Sequence, residues 1–362
     1  MSPLDWFKKQ KPMLSMQSMG GGAAGYMISA GADTILTVPT GVSGPGQWDL
    51  SSQGALTLNI GNTYDIASAG ADISLVIHLW GAGGSGGRSP GNPGGEPTAG
   101  GGGGGYATGT MTFASGTTYK AVVGNAKGNT VDASPWGEPA ASGNPISPPY
   151  NGPNPWVPTG YYLMNSGGYS GIFVTSVSAP NARLMAGGGG SGGLNDGGTQ
   201  GGGGGGGGGG TTGADGGGGT GGYSGPPNGA GGTQPAGGAG GPSPHTNGSA
   251  GSSLAGGQGG ARGPSGAAGG GGGSGWYGGG GGAGQTSINT DGGGGGGGSS
   301  YIHPSITGGS TTQAGRVDAA NNSSPYYVSG RAKGGVYTGP AVPGFPSDMW
   351  GSPGTITFVT TG

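Results

Sequence analysis

Cysteine is absent from the 362 residues, so neither a disulfide framework nor a thiolate metal site is available. Charge is nearly as scarce: 11 basic and 13 acidic side chains leave a net charge of −2. The basic footprint that nucleic-acid binding needs is missing, and so is the high net charge of a charged disordered tail. Long apolar runs are missing as well. The best is ISLVIHLW at 73–80, strand-length and far short of the roughly 20 residues that span a bilayer, so no membrane insertion is expected. The N-terminal MSPLDWFKKQKPMLSMQSMGGG has basic residues with no apolar stretch behind them, so no export signal is expected either. These features fit an intracellular protein or a virion part assembled in a host cytoplasm. Hydrophobic residues make up only 30% of the chain, too few for the two ordinary cores its length would allow.

What fills the chain instead is glycine, 107 residues, with 28 prolines. Composition divides the chain into four zones. Residues 1–27 hold Met, Lys and aromatics and read as an N-terminal anchoring peptide, with a short helix over 2–10. Residues 28–180 read as a β-rich domain with a Gly-rich insertion at 81–105. Residues 181–300 are half glycine, 60 of 120, and residues 301–362 return to Tyr, Val, Ile and Thr as a C-terminal β segment completing the β-rich domain. Period-two alternation marks ALTLNI (55–60) and ISLVIHLW, while YATGTMTF (106–113) and TYKAVVG (118–124) are separated by ASGT, a hairpin-sized link containing Gly116. GIFVTSVS (171–178), ARLMAG (182–187), PYYVSG (325–330) and TITFVTTG (355–362) complete the strand set. The expected fold class is all-β, with β-sandwich-like strands feeding a glycine bundle and almost no α-helix.

Residues 201–210 are all glycine. A bare Gly run suits a flexible linker, but this region is 120 residues long, and two Gly runs leave directly from strands, in LVIHLWGAGGSGG and ARLMAGGGGSGG. Collagen needs Gly at every third position and silk-like sheets need Gly–Ala or Gly–Ser alternation; the irregular breaks at TTGAD, YSGPPN, TQPAG and PSPHTN fit neither. The ordered state that remains is the extended threefold helix, which rises about 3.1 Å per residue and makes no internal hydrogen bonds. Its backbone groups point sideways and must be satisfied by neighbouring helices, which bare glycine allows to approach. The expectation is a bundle of packed polyglycine II helices over 181–300, with large residues on outer faces or in turns.

The succession ISLVIHLWGAGGSGG, TAGGGGGGYATGTMTFASGTTYKAVVGNAKG, ARLMAGGGGSGG and a final TITFVTT resembles the glycine-rich domain of bacteriophage tail-fibre and other virion proteins. The long Gly block is similar to the tip adhesins of T-even phage fibres, whose polyglycine helices pack together and present variable loops to the host. A WGAGG element of the same kind occurs in the glycine-rich extracellular domain of the anaplastic-lymphoma-kinase receptor family. The resemblance covers most of 50–362. It implies a non-enzymatic virion protein, a tail-fibre or tip protein involved in host attachment. The N-terminal peptide and the Pro-rich stretch 134–158 depart from the adhesin pattern. The alternative is a structural virion protein (capsid decoration, neck or tail accessory) with the Gly bundle as a protruding spacer. An extracellular ligand-binding module is disfavoured by the missing cysteine and export signal.

Catalytic and metal chemistry find few carriers. Matches to G-x-G-x-x-G are inevitable in half-Gly sequence and no helix follows them. The three histidines, His78, His245 and His303, lack metal-site spacing, and Glu occurs only at 96 and 138. Asp196, Asp215 and Asp291 precede Gly runs and read as turn formers. No cofactor is expected. The receptor-binding candidates are Tyr223, Trp276, Tyr277, Tyr301 and His303, which lie at breaks in the Gly runs and are expected together at one end of the bundle. Bracing the bundle from outside is their bland alternative. Trp6, Phe7, Met13, Met16 and Met19 are candidate anchors to other virion proteins or a symmetry mate, which implies a homo-oligomer in the virion. The expected external partner is a host surface glycan or an outer-membrane receptor.

Overall fold

The structure is a computed structural model that describes residues 35–37, 47–49, 55–58, 63–68, 71–87, 100–126, 165–194, 202–217, 227–261, 266–286, 291–336 and 350–361. The strands are β1 (Ile35–Thr37), β2 (Gln47–Asp49), β3 (Leu56–Leu58), β4 (Thr63–Ser68), β5 (Ile73–Trp80) and β6 (Tyr106–Phe113). They continue with β7 (Tyr119–Val122), β8 (Ser170–Val174), β9 (Ala182–Ala186), β10 (Tyr301–Ile302), β11 (Thr307–Thr312) and β12 (Thr355–Thr360). Among the described residues the helical content is one 3₁₀ turn, Ala179–Asn181, and no helix is long and apolar enough to cross a membrane. The short helix expected over 2–10 lies outside the described residues.

The strands form two antiparallel sheets, ordered β10–β9–β8–β7–β4–β1–β2 and β11–β6–β5–β12–β3. Alternation decides which side chains face inward. Ile73, Leu75, Ile77 and Leu79 of β5 point to one side and are buried with Met111 and Phe113 of β6 and Ile356 and Phe358 of β12. Tyr64 and Ile66, Tyr119 and Ala121, Ile172 and Leu184 meet them from the other sheet. The described residues are therefore all-β, with the main hydrophobic core between the sheets and smaller buried clusters on their outward faces around Trp80 and around Tyr169.

The glycine segments continue the strands in register. Trp80 pairs with Tyr106 at the end of β5–β6, and Gly81 then donates to Gly105 O and Gly84 to Gly102 O. Met185 pairs with Tyr301, and beyond it Gly298, Gly295 and Gly292 donate to Gly188, Ser191 and Leu194. Ser170 pairs with Ala186, and Gly167 next donates to Gly189 O. What changes at each junction is the recurrence of partners, from two residues to three. Along 203–209, Gly203, Gly206 and Gly209 donate to Gly292, Gly295 and Gly298, while Gly205 and Gly208 donate to Gly100 and Gly103.

Residues 278–285 show the consequence. Every amide in this segment donates: Gly278, Gly281 and Gly284 to Ser252, Ser249 and Thr246; Gly279, Gly282 and Gln285 to Gly273, Gly270 and Ala267; Gly280 and Ala283 to Ala230 and Pro227. Its carbonyls accept in the same rhythm, from Gly238 and Gly241, from Gly257 and Gly260, and from Gly296 and Gly293. Three segments thus receive its hydrogens and three others supply them, which is sixfold packing. Residues 188–194 and 292–298 sit in the same surroundings, and 188–194 touch segments from the 81–105 insertion as well as from 181–300. At these glycine positions no side chain fits: a Cβ on Gly281 would lie 1.9 Å from Gln258 O.

Alanines such as Ala268 and Ala283 and several serines occupy the few non-glycine places inside, and the serines replace missing backbone partners. Ser191 Oγ accepts from Gly271 N at 2.8 Å, Ser274 Oγ from Tyr169 N at 2.9 Å, and Ser85 Oγ donates to Asn165 O at 2.9 Å. Outer segments carry a side chain at each third position. Ala236, Ala239 and Pro242 are exposed along one of them, and Ala255, Gln258 and Ala261 lie along another with Gly pairs between. PYYVSG at 325–330 corrects the sequence reading: it is not a strand. Ser324 O accepts from Tyr327 N at 3.0 Å and closes a turn with Pro325 at its second position rather than a sheet ladder.

Candidate binding surface

Two groups of aromatic side chains stand on the outer faces of the sheets. The first contains four of the residues singled out in the sequence. The chain reverses between 266–274 and 278–285, and the reversal carries Trp276 and Tyr277, held by Trp276 N donating to Ser299 O at 2.9 Å and Tyr277 N to Ser299 Oγ at 3.1 Å. Tyr301 opens β10 beside it. The Trp276 and Tyr301 rings stack at 3.9 Å and 12°, Tyr277 meets Trp276 edge-on at 6.1 Å, and His303 meets Tyr301 edge-on at 6.5 Å. All four are half-buried.

Trp276 and Tyr301 pack on Val122, Tyr169, Phe173, Ala182 and Met185, the outward side of the seven-stranded sheet. This group therefore sits at the sheet end of the glycine segments. His303 accepts a backbone bond from Ser305 N at 3.1 Å, and its Nδ1 lies 2.8 Å from Ser305 Oγ. Desolvation, then the nearby Arg183 charge, holds its imidazole below the usual range. Tyr223 lies outside the described residues; the described residues flanking it, Gly217 and Pro227, are at ends of their segments remote from the sheets. The anchoring candidates Trp6, Phe7, Met13, Met16 and Met19 also lie outside the described residues, as does Asp196. Asp215 accepts from Gly231 N at 2.8 Å and so serves the glycine packing.

The second group was not foreseen as a site. His78 and Trp80 alternate outward on β5, opposite Thr108 and Tyr106 of β6. The turns after β11 fold over them: Trp80 Nε1 donates to Ala320 O at 2.8 Å, and Tyr327 packs at 5.7 Å from the Trp80 ring. Tyr326 stacks on His78 at 4.4 Å and 23°. His78 Nδ1 is 2.7 Å from Tyr106 Oη and 3.2 Å from Thr108 Oγ1. Burial lowers the His78 pKa, favouring the uncharged ring; burial raises the Tyr106 hydroxyl against the pull of hydrogen bonds to Thr108 and Asn321. The signal available in the sequence was the pair His78 and Trp80 on the polar side of an alternating strand. Tyr326 gave none, because its position depends on a turn brought in from far along the chain.

Neither surface assembles a nucleophile with a base and an orienting acid, and among the described residues no group of His, Asp or Glu could hold a metal ion. What both offer is flat aromatic area beside hydroxyls. No protein-family model matches the chain, and no curated protein matches its sequence.

Proposed function

We propose that the glycine segments are polyglycine II helices and that the protein is a bacteriophage virion protein of the tail fibre or fibre tip, attaching the particle to its host by binding and not by catalysis. The helix reading is supported by the three-residue recurrence of hydrogen-bond partners, which a threefold helix produces and a pleated strand does not. The observation that carries the functional reading is the in-register passage of sandwich strands into a side-chain-poor bundle, at GAGGSGG and GGGGSGG junctions that resemble those of glycine-rich virion domains. Such a bundle is stiff, nearly uncharged and satisfied by its own backbone, which suits an exposed projection. Trp276, Tyr277, Tyr301 and His303 would then face a host surface glycan or an outer-membrane receptor. Trp6, Phe7, Met13, Met16 and Met19 would hold the chain, as a homo-oligomer, to other virion proteins.

A second reading has its own support. Trp276 and Tyr301 spend ring area on each other and on Phe173 and Met185, as bracing side chains do. That favours a structural virion protein with the bundle as a spacer. Particles carrying Tyr277→Ala with His303→Ala separate the two, since neither change removes the Trp276–Tyr301 stack. The attachment reading expects normal assembly and reduced adsorption to host cells; unchanged adsorption supports the structural reading. Deleting residues 1–19 tests the anchor: the protein should fold and be missing from particles, and normal incorporation would refute it.

A further inference from the structure

We infer that the outward face of the five-stranded sheet at Tyr326 and His78 is a binding site for a neutral sugar ring. Among the described residues Tyr326 is the exposed large hydrophobic side chain, 36% accessible. The structure fixes it there. Tyr326 N donates to Ser324 Oγ at 3.3 Å, Tyr327 Oη donates to Arg331 O at 2.5 Å, and Trp80 Nε1 fastens the preceding turn at Ala320. Beneath the ring, His78 is 9% accessible and anchored by Tyr106 and Thr108. One face of Tyr326 is thus covered by a fixed imidazole, and the ring is held out toward water at little further entropy cost for a ligand that stacks on it.

The chemistry around the ring selects the ligand. From His78 the face continues along β5 through Val76 to Ser74 and along β6 through Thr110 to Thr112, with Ser74 Oγ and Thr112 Oγ1 2.8 Å apart at the exposed end. No Asp, Glu, Lys or Arg stands among the outward residues of β5, β6 or β12. The charges nearest the ring stand on the covering turns, Asp318 beside Tyr327 and Arg331 whose carbonyl Tyr327 holds, so the strand face itself offers hydroxyls and no ionic partner. Two residues along a strand span about 6.6 Å, comparable with one sugar unit, so the Thr110 hydroxyl and then the Ser74–Thr112 pair follow the ring at a spacing an oligosaccharide can use. Aromatic area for the C–H face of a pyranose, with hydroxyl donors and acceptors beside it, is the combination that holds a neutral glycan. The inference stands on this face alone and holds wherever on a particle the chain sits.

The test is calorimetric titration of the purified full chain with three neutral probes, maltohexaose, cellohexaose and hexa-N-acetylchitohexaose, with hexagalacturonate as a charged comparison. At least one neutral probe should bind, and hexagalacturonate should not bind more tightly. Tyr326→Ala should weaken binding about tenfold or more, through loss of stacking area, while the chain keeps its folded circular dichroism spectrum at the titration temperature. Tyr326→Phe should retain binding, and so should Gly315→Ala, at an exposed position with open space around the added methyl. The inference is overturned by failure of all three neutral probes, by preference for the charged one, or by binding that survives Tyr326→Ala. Loss on Tyr277→Ala alone would instead assign sugar binding to the Trp276 surface.

Discussion

Replacing Gly205 with Ala should damage the bundle far more than a surface methyl would. A Cβ at 205 would lie 2.0 Å from Gly190 O and 2.7 Å from Gly102 N. An ordinary carbon–oxygen approach is about 3.3 Å, so the two segments must part by about 1.3 Å. Four backbone bonds join the Gly205 segment to the segments of Gly190 and Gly102: Gly190 to Gly206 at 2.8 Å, Gly193 to Gly203 at 2.7 Å, Gly205 to Gly100 at 2.9 Å and Gly208 to Gly103 at 2.9 Å. A displacement of that size carries such bonds beyond useful length. At about 1 kcal/mol net for each, the loss is about 4 kcal/mol. For a chain of this size that corresponds to a fall in Tm of roughly 8 °C, at about 2 °C per kcal/mol. Gly315→Ala is the control, because Gly315 is exposed and nothing lies within 4 Å of its added Cβ. It should change stability by no more than about 0.5 kcal/mol. Differential scanning calorimetry of both variants checks this; equal midpoints would refute the close-packed arrangement.

Other expected outcomes follow from single buried groups. Ser191→Ala removes the acceptor for Gly271 N and should cost about 1–3 kcal/mol in thermal unfolding, because that amide is buried. Tyr169→Phe should leave stability unchanged or raise it, since the Tyr169 hydroxyl is buried without a hydrogen-bond partner among the described residues. The pH dependence follows from His78. Its folded pKa lies below the unfolded value of about 6.5, so the unfolded chain binds more protons in the window beneath that value. Its contribution to stability is therefore complete above about pH 6.5 and declines as pH falls through the folded pKa. A plot of Tm against pH should drop on the acid side, and His78→Asn should flatten that part of the curve.

The hydrophobic half of the fold was readable because period-two alternation survives where a core exists. Ile73, Leu75, Ile77 and Leu79 declare β5, and the passage of LVIHLW into GAGGSGG marks where the strand ends and the glycine segment begins. β11 was not readable. TGGSTT has two glycines and no apolar residue, and it is a strand through pairing with β6, with Thr307 opposite Thr110 and Thr312 opposite Tyr106. PYYVSG misled for the opposite reason: Tyr and Val favour strands locally, while Pro325 and the turn over Trp80 decide the outcome. A subtler signal lay in the glycine itself. Unbroken runs such as 292–298 are surrounded on all sides, whereas Ala236, Ala239 and Pro242, or Ala255, Gln258 and Ala261, place a side chain at every third residue of segments with an open side. In the candidate surfaces, Trp276, Tyr277, Tyr301 and His303 were legible as aromatics at breaks. Their attachment to the sheet was not, since it depends on β10 pairing with β9.

Residue-resolved amide hydrogen exchange reads the three-residue recurrence directly. In 278–285 every amide donates to a neighbouring segment, so all should exchange slowly. In 237–241, on the open side of the bundle, Gly238 and Gly241 donate to Gly278 and Gly281, while Gly237, Ala239 and Gly240 face solvent without a protein acceptor among the described residues. The predicted result is slow exchange at Gly238 and Gly241 with fast exchange at the three others, a period of three, beside uniform protection across 278–285. Protection alternating every second residue, or free-chain rates throughout both segments, would contradict a bundle of threefold glycine helices.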